Sequence, residues 1–255
     1  MRIKHLITFL LFLGVSLAQA QTGSRPLSLD LSQTNSASIP PTNAPAKPPL
    51  KEISPAIFEL GKVRLDKTAK TVSFPAVVNM RGEDIVEYWL VNNGGKIHES
   101  VLKTEAEPYH IHLAMLLIGA KGRPNITPAQ RVEDKTTAGD TIRLSFAYQD
   151  EKGQVKRSAE ETIHDKSTKA TMAKGDWIYN GSWIFNGAFV AQRELSIVAN
   201  IHDHDALINN PRPRRENDEN WLAETKNLPP VGTPVTVTIE LLKAYVKPVV
   251  HETKP

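Results

Sequence analysis

The chain has 255 residues, 40% of them hydrophobic and 23% charged, and contains no cysteine. That length and apolar content are enough for one folded core. The missing cysteines exclude disulfides, thiolate zinc sites, iron–sulfur ligation, a cysteine nucleophile and a lipid anchor on an N-terminal Cys. Lys and Arg number 31 against 28 Asp and Glu, a net charge of +3 that falls to +1 if Arg2 and Lys4 are removed with a leader (29 against 28). The one basic cluster, Arg212-Pro213-Arg214-Arg215, is followed at once by Glu216, Asp218 and Glu219. It reads as a solvated loop, and nucleic acid is not expected as a partner.

Arg2 and Lys4 precede an apolar run over residues 7–17, and Ala18-Gln19-Ala20 supplies small residues where an export peptidase reads them. Residues 1–20 therefore read as a signal peptide cleaved near Ala20, with a periplasmic or secreted product. The run is shorter than the roughly 20 residues a membrane-crossing helix needs, and no later run is longer, so no transmembrane span is expected in the mature protein. Residues 21–54 are rich in Ser, Thr, Asn, Ala and Pro, with five prolines between Pro40 and Pro49. They read as a disordered or extended linker, either a tether or an ordinary mature N-terminus.

From residue 55 onward strand patterns dominate. Residues 57–65 suggest a short strand pair around Gly61, and 71–79 a strand in which Pro75 marks an edge or bulge. Residues 85–91 and 96–103, joined by Asn92-Asn93-Gly94-Gly95, read as a β-hairpin. Pro108 suits the first position of a helix that Gly119 would stop. Its residues 111 and 113–118 are apolar on every side, so it is expected to be buried. Residues 141–148, 177–185, 194–201 and 234–243 read as further strands, and 217–224 as a short surface helix. The expected fold class is α+β, β-dominated: one compact, mostly antiparallel β domain over residues 55–247, with a single buried helix after the hairpin and a tail at 248–255.

With these segments in hand, the chain resembles the YdjY-like family of exported bacterial proteins. The resemblance runs from about residue 61 to 239, through GKVRLD, TVSFPAVV, VEYWLV, GGKIHESVL, PYHIHLAMLLIG, WIYNGSWIF, SIVAN, ALINNP and PPVGTPVTVTI in that order. It implies an exported domain and no established mechanism. Some members are associated with ferredoxin-type iron–sulfur proteins, a property this cysteine-free chain cannot share. The motif positions that carry over are Gly95, His98, Glu99, Ser100, Pro108, His112 and Gly119.

Several clusters could carry chemistry. On a hairpin strand His98 and Ser100 would share a face and Glu99 would point away, which allows a polar pocket but supplies no catalytic triad. His110 and His112, two apart on a helix, lie about 200° apart and cannot share a metal. His98 and His112, with Glu99 or Glu105, form the sharpest metal candidate, and imidazole with carboxylate suits a divalent ion such as zinc. His202-Asp203-His204-Asp205 offers either a cation site or turn capping. Trp177, Tyr179, Trp183 and Phe185 alternate along one stretch; exposed, they would stack on a sugar, and buried they would be core. The candidate ligand-binding residues are therefore His98, Glu99, Ser100, His112, Trp177 and Trp183. The leading reading is a non-catalytic binding or accessory module of the cell envelope, its partner an envelope protein or glycan. The alternatives are a metal protein or enzyme built on His98 and His112, and a structural or assembly protein.

Overall fold

The computed structural model describes residues 49–123, 127, 129–130 and 138–245, all within one unit, Pro41–Pro255. The stretches read above as a signal peptide (1–20), as linker up to residue 48 and as a tail (248–255) lie outside the described residues. β1 (Leu50–Ser54), β2 (Ile57–Leu60) and β3 (Val63–Asp66) form an antiparallel meander leading into β4 (Thr71–Val78). After these come β5 (Tyr88–Asn92), β6 (Ser100–Thr104), helix α1 (Pro108–Leu117), β7 (Asp140–Asp150), β8 (Gly153–Ser158), β9 (Ile163–Asp165), β10 (Ala170–Thr171) and β11 (Trp177–Tyr179). The chain continues through β12 (Ile184–Phe185), β13 (Ala188–Phe189), the short helix α2 (Val190–Glu194), β14 (Ser196–Ala199), β15 (Ile208–Asn209), β16 (Trp221–Ala223) and β17 (Pro234–Lys243).

Eight strands close on themselves in the order β4-β17-β7-β11-β15-β14-β5-β6, with β6 returning to β4. Every pairing in the ring is antiparallel except β14–β15 and β5–β6. The alternation of β4 and β17 dictates their inward faces. Val72, Phe74, Ala76 and Val78 are buried, as are Val235, Val237, Ile239 and Leu241, while their neighbours in sequence are more exposed. Register then sets Phe74 opposite Val237 and Val72 opposite Ile239, so one face of each strand builds a continuous core. β5 and β14 are buried along their whole length, because a second small cluster of Tyr88, Val91, Ala199 and Ala206 covers their other side. The fold is thus β-dominated α+β with one helix of substantial length.

Pro75 sits where β4 changes partners. β3 pairs with β4 up to Ser73, and β6 takes over from Val77. The missing N–H of proline falls in this gap, and Thr104 Oγ1 donates to the Pro75 carbonyl at 2.6 Å.

Other expectations need correction. Leu50–Ser54, read as the end of a disordered linker, is strand, since β2 supplies backbone partners from Leu60 to Ile57. The expected hairpin is a parallel pair: Tyr88 stands opposite Ser100 and Asn92 opposite Thr104. Residues 93–99 carry the chain back through a 3-10 turn, Ile97–Glu99. Gly94 and Gly95 serve close approach here. A Cβ on Gly94 would lie 2.9 Å from Leu195 Cδ1, and one on Gly95 would lie 3.0 Å from Leu195 Cβ and 3.1 Å from its carbonyl oxygen. Helix α1 begins and ends as expected, yet Leu116 and Leu117 are exposed, and only Pro108, Ile111, Ala114 and Met115 are fully covered. The stretch 177–185 breaks after Tyr179, and Ile184–Phe185 pairs with Ala188–Phe189 as a separate hairpin. Residues 217–224 give a 3-10 turn, Asp218–Asn220, followed by β16. The basic cluster is no solvated loop: Arg212 is buried against Glu160, and Arg214 pairs with the buried Asp165.

Candidate functional site

Helix α1 projects His110 and His112 in different directions, as its pitch requires. His110 packs against the turn at Gly61, and burial lowers its pKa, with the Glu107 charge opposing. His112 faces the other way. Its Nδ1 lies 2.6 Å from Tyr179 Oη, and its ring packs on Phe189 with centroids 4.7 Å apart. The start of α1 is held by α2: Gln192 accepts from the Tyr109 N–H at 3.1 Å and donates to the Glu107 carboxylate.

Between α1 and the β12–β13 hairpin runs an open groove of about 390 Å³. Its walls are Tyr109, Leu113 and Leu116 from the helix and Ile184 and Phe189 from the hairpin, with His112 between them. Ile184 is 70% exposed, a large cost for an isoleucine with nothing to cover it. The segment after α1 forms the end of the groove with Lys121, Gly122 and Arg123. Buried Asp140 fixes this segment by accepting from the Lys121 N–H at 2.9 Å and the Gly122 N–H at 2.6 Å, and it also takes the Tyr245 N–H. Gly122 adopts φ +69° with its Cα face against the Asn180 carbonyl, where a Cβ would come to 3.0 Å. Only glycine meets both demands.

The electrostatics of the groove floor follow from burial. Desolvation brings the His112 pKa down to about 4, so the imidazole is neutral near pH 7. Tyr179 is fully buried, and desolvation, helped by the Asp140 charge, pushes its pKa far up. The phenol therefore keeps its proton, and His112 is its hydrogen-bond partner. Donation from Tyr179 to Nδ1 leaves the imidazole proton on Nε2; the opposite tautomer would strand the hydroxyl proton in the core.

The other candidates from sequence lie elsewhere. His98 sits in the 3-10 turn before β6, its side chain 78% exposed, with Nε2 3.7 Å from Glu99 Oε2. Ser100 is wholly buried, and its Oγ donates to the Leu102 carbonyl at 2.7 Å. His98 and Ser100 therefore do not share a face, because the 3-10 turn interrupts the strand alternation before it reaches His98. His98 and His112 have separate partners, and among the described residues no group of three or more His, Asp or Glu side chains is arranged to hold a metal. Trp177 is buried in the core and donates through Nε1 to Glu160, which takes it out of any surface stripe. Trp183 lies half-buried beside Phe185, ring centroids 5.2 Å apart, and donates to Asp205. The His202–Asp205 run is turn chemistry: Asp203 accepts from the Asp205 N–H and from Tyr88 Oη, and His202 approaches Glu216 at 3.2 Å. The sequence reading missed the hairpin wall of the groove, although Asn186-Gly187, with φ of 50° and 77°, is a strong tight-turn signal.

Fold and site together define a closed, mixed β-barrel domain carrying one partly exposed helix with an open groove beside it. The YdjY domain family matches residues 63–240, and the chain belongs to that family. No curated protein and no solved structure matches it. Among the described residues no helix is long and apolar enough to cross a membrane.

Proposed function

We propose that this YdjY domain is an exported, non-catalytic binding module of the cell envelope, whose ligand seats in the groove between α1 and the β12–β13 hairpin. The observation that carries the reading is the groove's composition. Leu113, Leu116, Ile184 and Phe189 stand around a cleft of ligand size, on a scaffold fixed by Asp140 and Gln192. With its pKa near 4, His112 is a weak base at neutral pH. This suits a hydrogen-bonding point better than a general base. The leader pattern of Arg2, Lys4, residues 7–17 and Ala18-Gln19-Ala20 supports export, and an envelope ligand follows from that location.

Two measurements test this reading. Mass spectrometry of the protein from a fractionated host is expected to find Gln21 as its first residue, in the exported fraction; an intact N-terminus in the cytosol would remove the localisation. The folded domain is also expected to enhance the fluorescence of anilinonaphthalene sulfonate. Ile184→Asp, a change at an exposed side chain, is expected to abolish that enhancement and leave the circular dichroism unchanged. Equal emission from the variant would place the apolar site elsewhere.

A further inference from the structure

The groove's lining also selects a chemical class of ligand, an inference that rests on the binding reading above. Among the described residues no carboxylate lines it, whereas Lys121 and Arg123 both do. Asp140, the nearest buried acid, turns its oxygens to backbone N–H groups and is occupied there. Lys121 makes no ion pair among the described residues, and the bond from its backbone N–H to Asp140 sets the residue at the end of the groove, within whose lining it lies. His112 adds direction. The Tyr179 hydroxyl fills Nδ1, so the imidazole presents Nε2–H as a donor with no acceptor of its own among the described residues. A donor and a cation close to an apolar cleft match a ligand with an apolar body and an anionic end. A neutral alcohol would use the donor alone, and an ammonium would meet like charge.

We propose that the groove binds amphiphilic carboxylates, with the apolar body between Leu113, Leu116 and Ile184 and the carboxylate accepting from His112 Nε2–H beside Lys121. The lining favours a single chain or ring system over a flat polar sugar, because Tyr109, Leu113, Leu116, Ile184 and Phe189 give an apolar body a surface to lie on.

The test compares decanoate, decan-1-ol and decylammonium at submicellar concentration, by NMR of the methyl groups of Leu113, Leu116 and Ile184 and of the His112 ring nitrogens. Decanoate is expected to shift these signals and to bind at least roughly tenfold more tightly than either analogue. Lys121→Ala is expected to erase most of that preference and leave decan-1-ol binding as it was, whereas His112→Gln is expected to weaken decanoate and, by a smaller factor, decan-1-ol, which shares the donor. The free domain is expected to show the Nε2–H tautomer. Equal or tighter binding of decan-1-ol or decylammonium at the same methyls would overturn the carboxylate class and leave the groove as a binding site. Silence at those methyls with all three compounds would overturn both. An Nδ1–H tautomer would remove His112 as the donor.

Discussion

Replacing Arg212 by Met is expected to lower the stability of the domain by about 3–5 kcal/mol, a fall in Tm of roughly 10 °C for a domain of this size. The Arg212 side chain is 9% exposed and that of Glu160 only 4%. The guanidinium lies 2.9 Å from Glu160 Oε1, donates to the Gly175 and Ala173 carbonyls, reaches Asn210 Oδ1 at 3.2 Å and sits 5.2 Å from the centre of the Trp177 ring. Burial lowers its pKa and the Glu160 carboxylate opposes that shift, so the guanidinium keeps its charge. Met fills much of the volume but returns none of these donors. Glu160 is left as a buried carboxylate with Trp177 Nε1–H as its remaining side-chain donor, and two backbone carbonyls lose a partner. The cost is that of an orphaned charge, larger than the net worth of the pair. A second substitution separates the two. Arg212→Met with Glu160→Gln removes the charge that was stranded and is expected to recover a substantial part of the loss in urea unfolding. A single variant that unfolds at the parent midpoint would show that this network contributes nothing.

The Arg212 network also shows where sequence reasoning stops. Its neighbours in sequence are Arg214, Arg215, Glu216 and Asp218, and that local mixture reads as a solvated loop. The partner that decides the matter, Glu160, is 52 residues away, and no local pattern announces it. The same limit governs the strand pair after Tyr88. Asn92 to Gly95 carries the residues of a tight turn, but the close approach of Leu195, the left-handed cap of α2, determines what those glycines do. With Gly94 and Gly95 packed under Leu195, residues 93–99 carry the chain back and β6 pairs with β5 in parallel. By contrast β4 and β17 were legible, because a period of two over eight and ten residues needs only one covered face. Helix α1 was legible at both ends, since Pro108 and Gly119 act through local backbone geometry. His112 stood out because a histidine in an apolar helix is conspicuous, whereas its role depends on Tyr179 and on a hairpin that begins 72 residues later at Ile184. The cleft exists only once the barrel has brought α1 and that hairpin together.

Acidification from pH 7.5 to 4 is expected to cost the domain about 3 kcal/mol through His112 alone. The folded imidazole has its pKa near 4, against the ordinary 6.5 of a solvated histidine. Desolvation is the cause, and the Tyr179 hydroxyl already occupies Nδ1. The unfolded chain therefore takes up a proton at a higher pH than the folded one does. Above about pH 6.5 both states are neutral and the His112 contribution is complete. Through the window from 6.5 down to about 4 the unfolded state is progressively favoured, at about 1.4 kcal/mol per pH unit from a single group. Below about 4 both states carry the proton and the loss stops growing. His110, whose pKa burial also lowers, acts in the same direction. Asp165 is different: desolvation opposes ionisation, but the hydrogen bonds from Arg214 and Asn220 outweigh it and depress its pKa below 3.8. Its contribution is therefore lost only at lower pH. The difference between the parent and His112→Phe isolates the residue of interest, because Phe keeps an aromatic ring against Phe189 and Tyr179 and cannot titrate. Urea midpoints measured at pH 7.5, 6, 5 and 4 are expected to fall more steeply for the parent than for the variant, with the gap opening below pH 6.5. Parallel curves would mean that His112 protonates as easily folded as unfolded, and that the floor of the groove is wet. A gap of the expected size would mean that the floor holds a neutral donor in a dry setting, the condition under which one hydrogen bond to a carboxylate is strong enough to select a ligand.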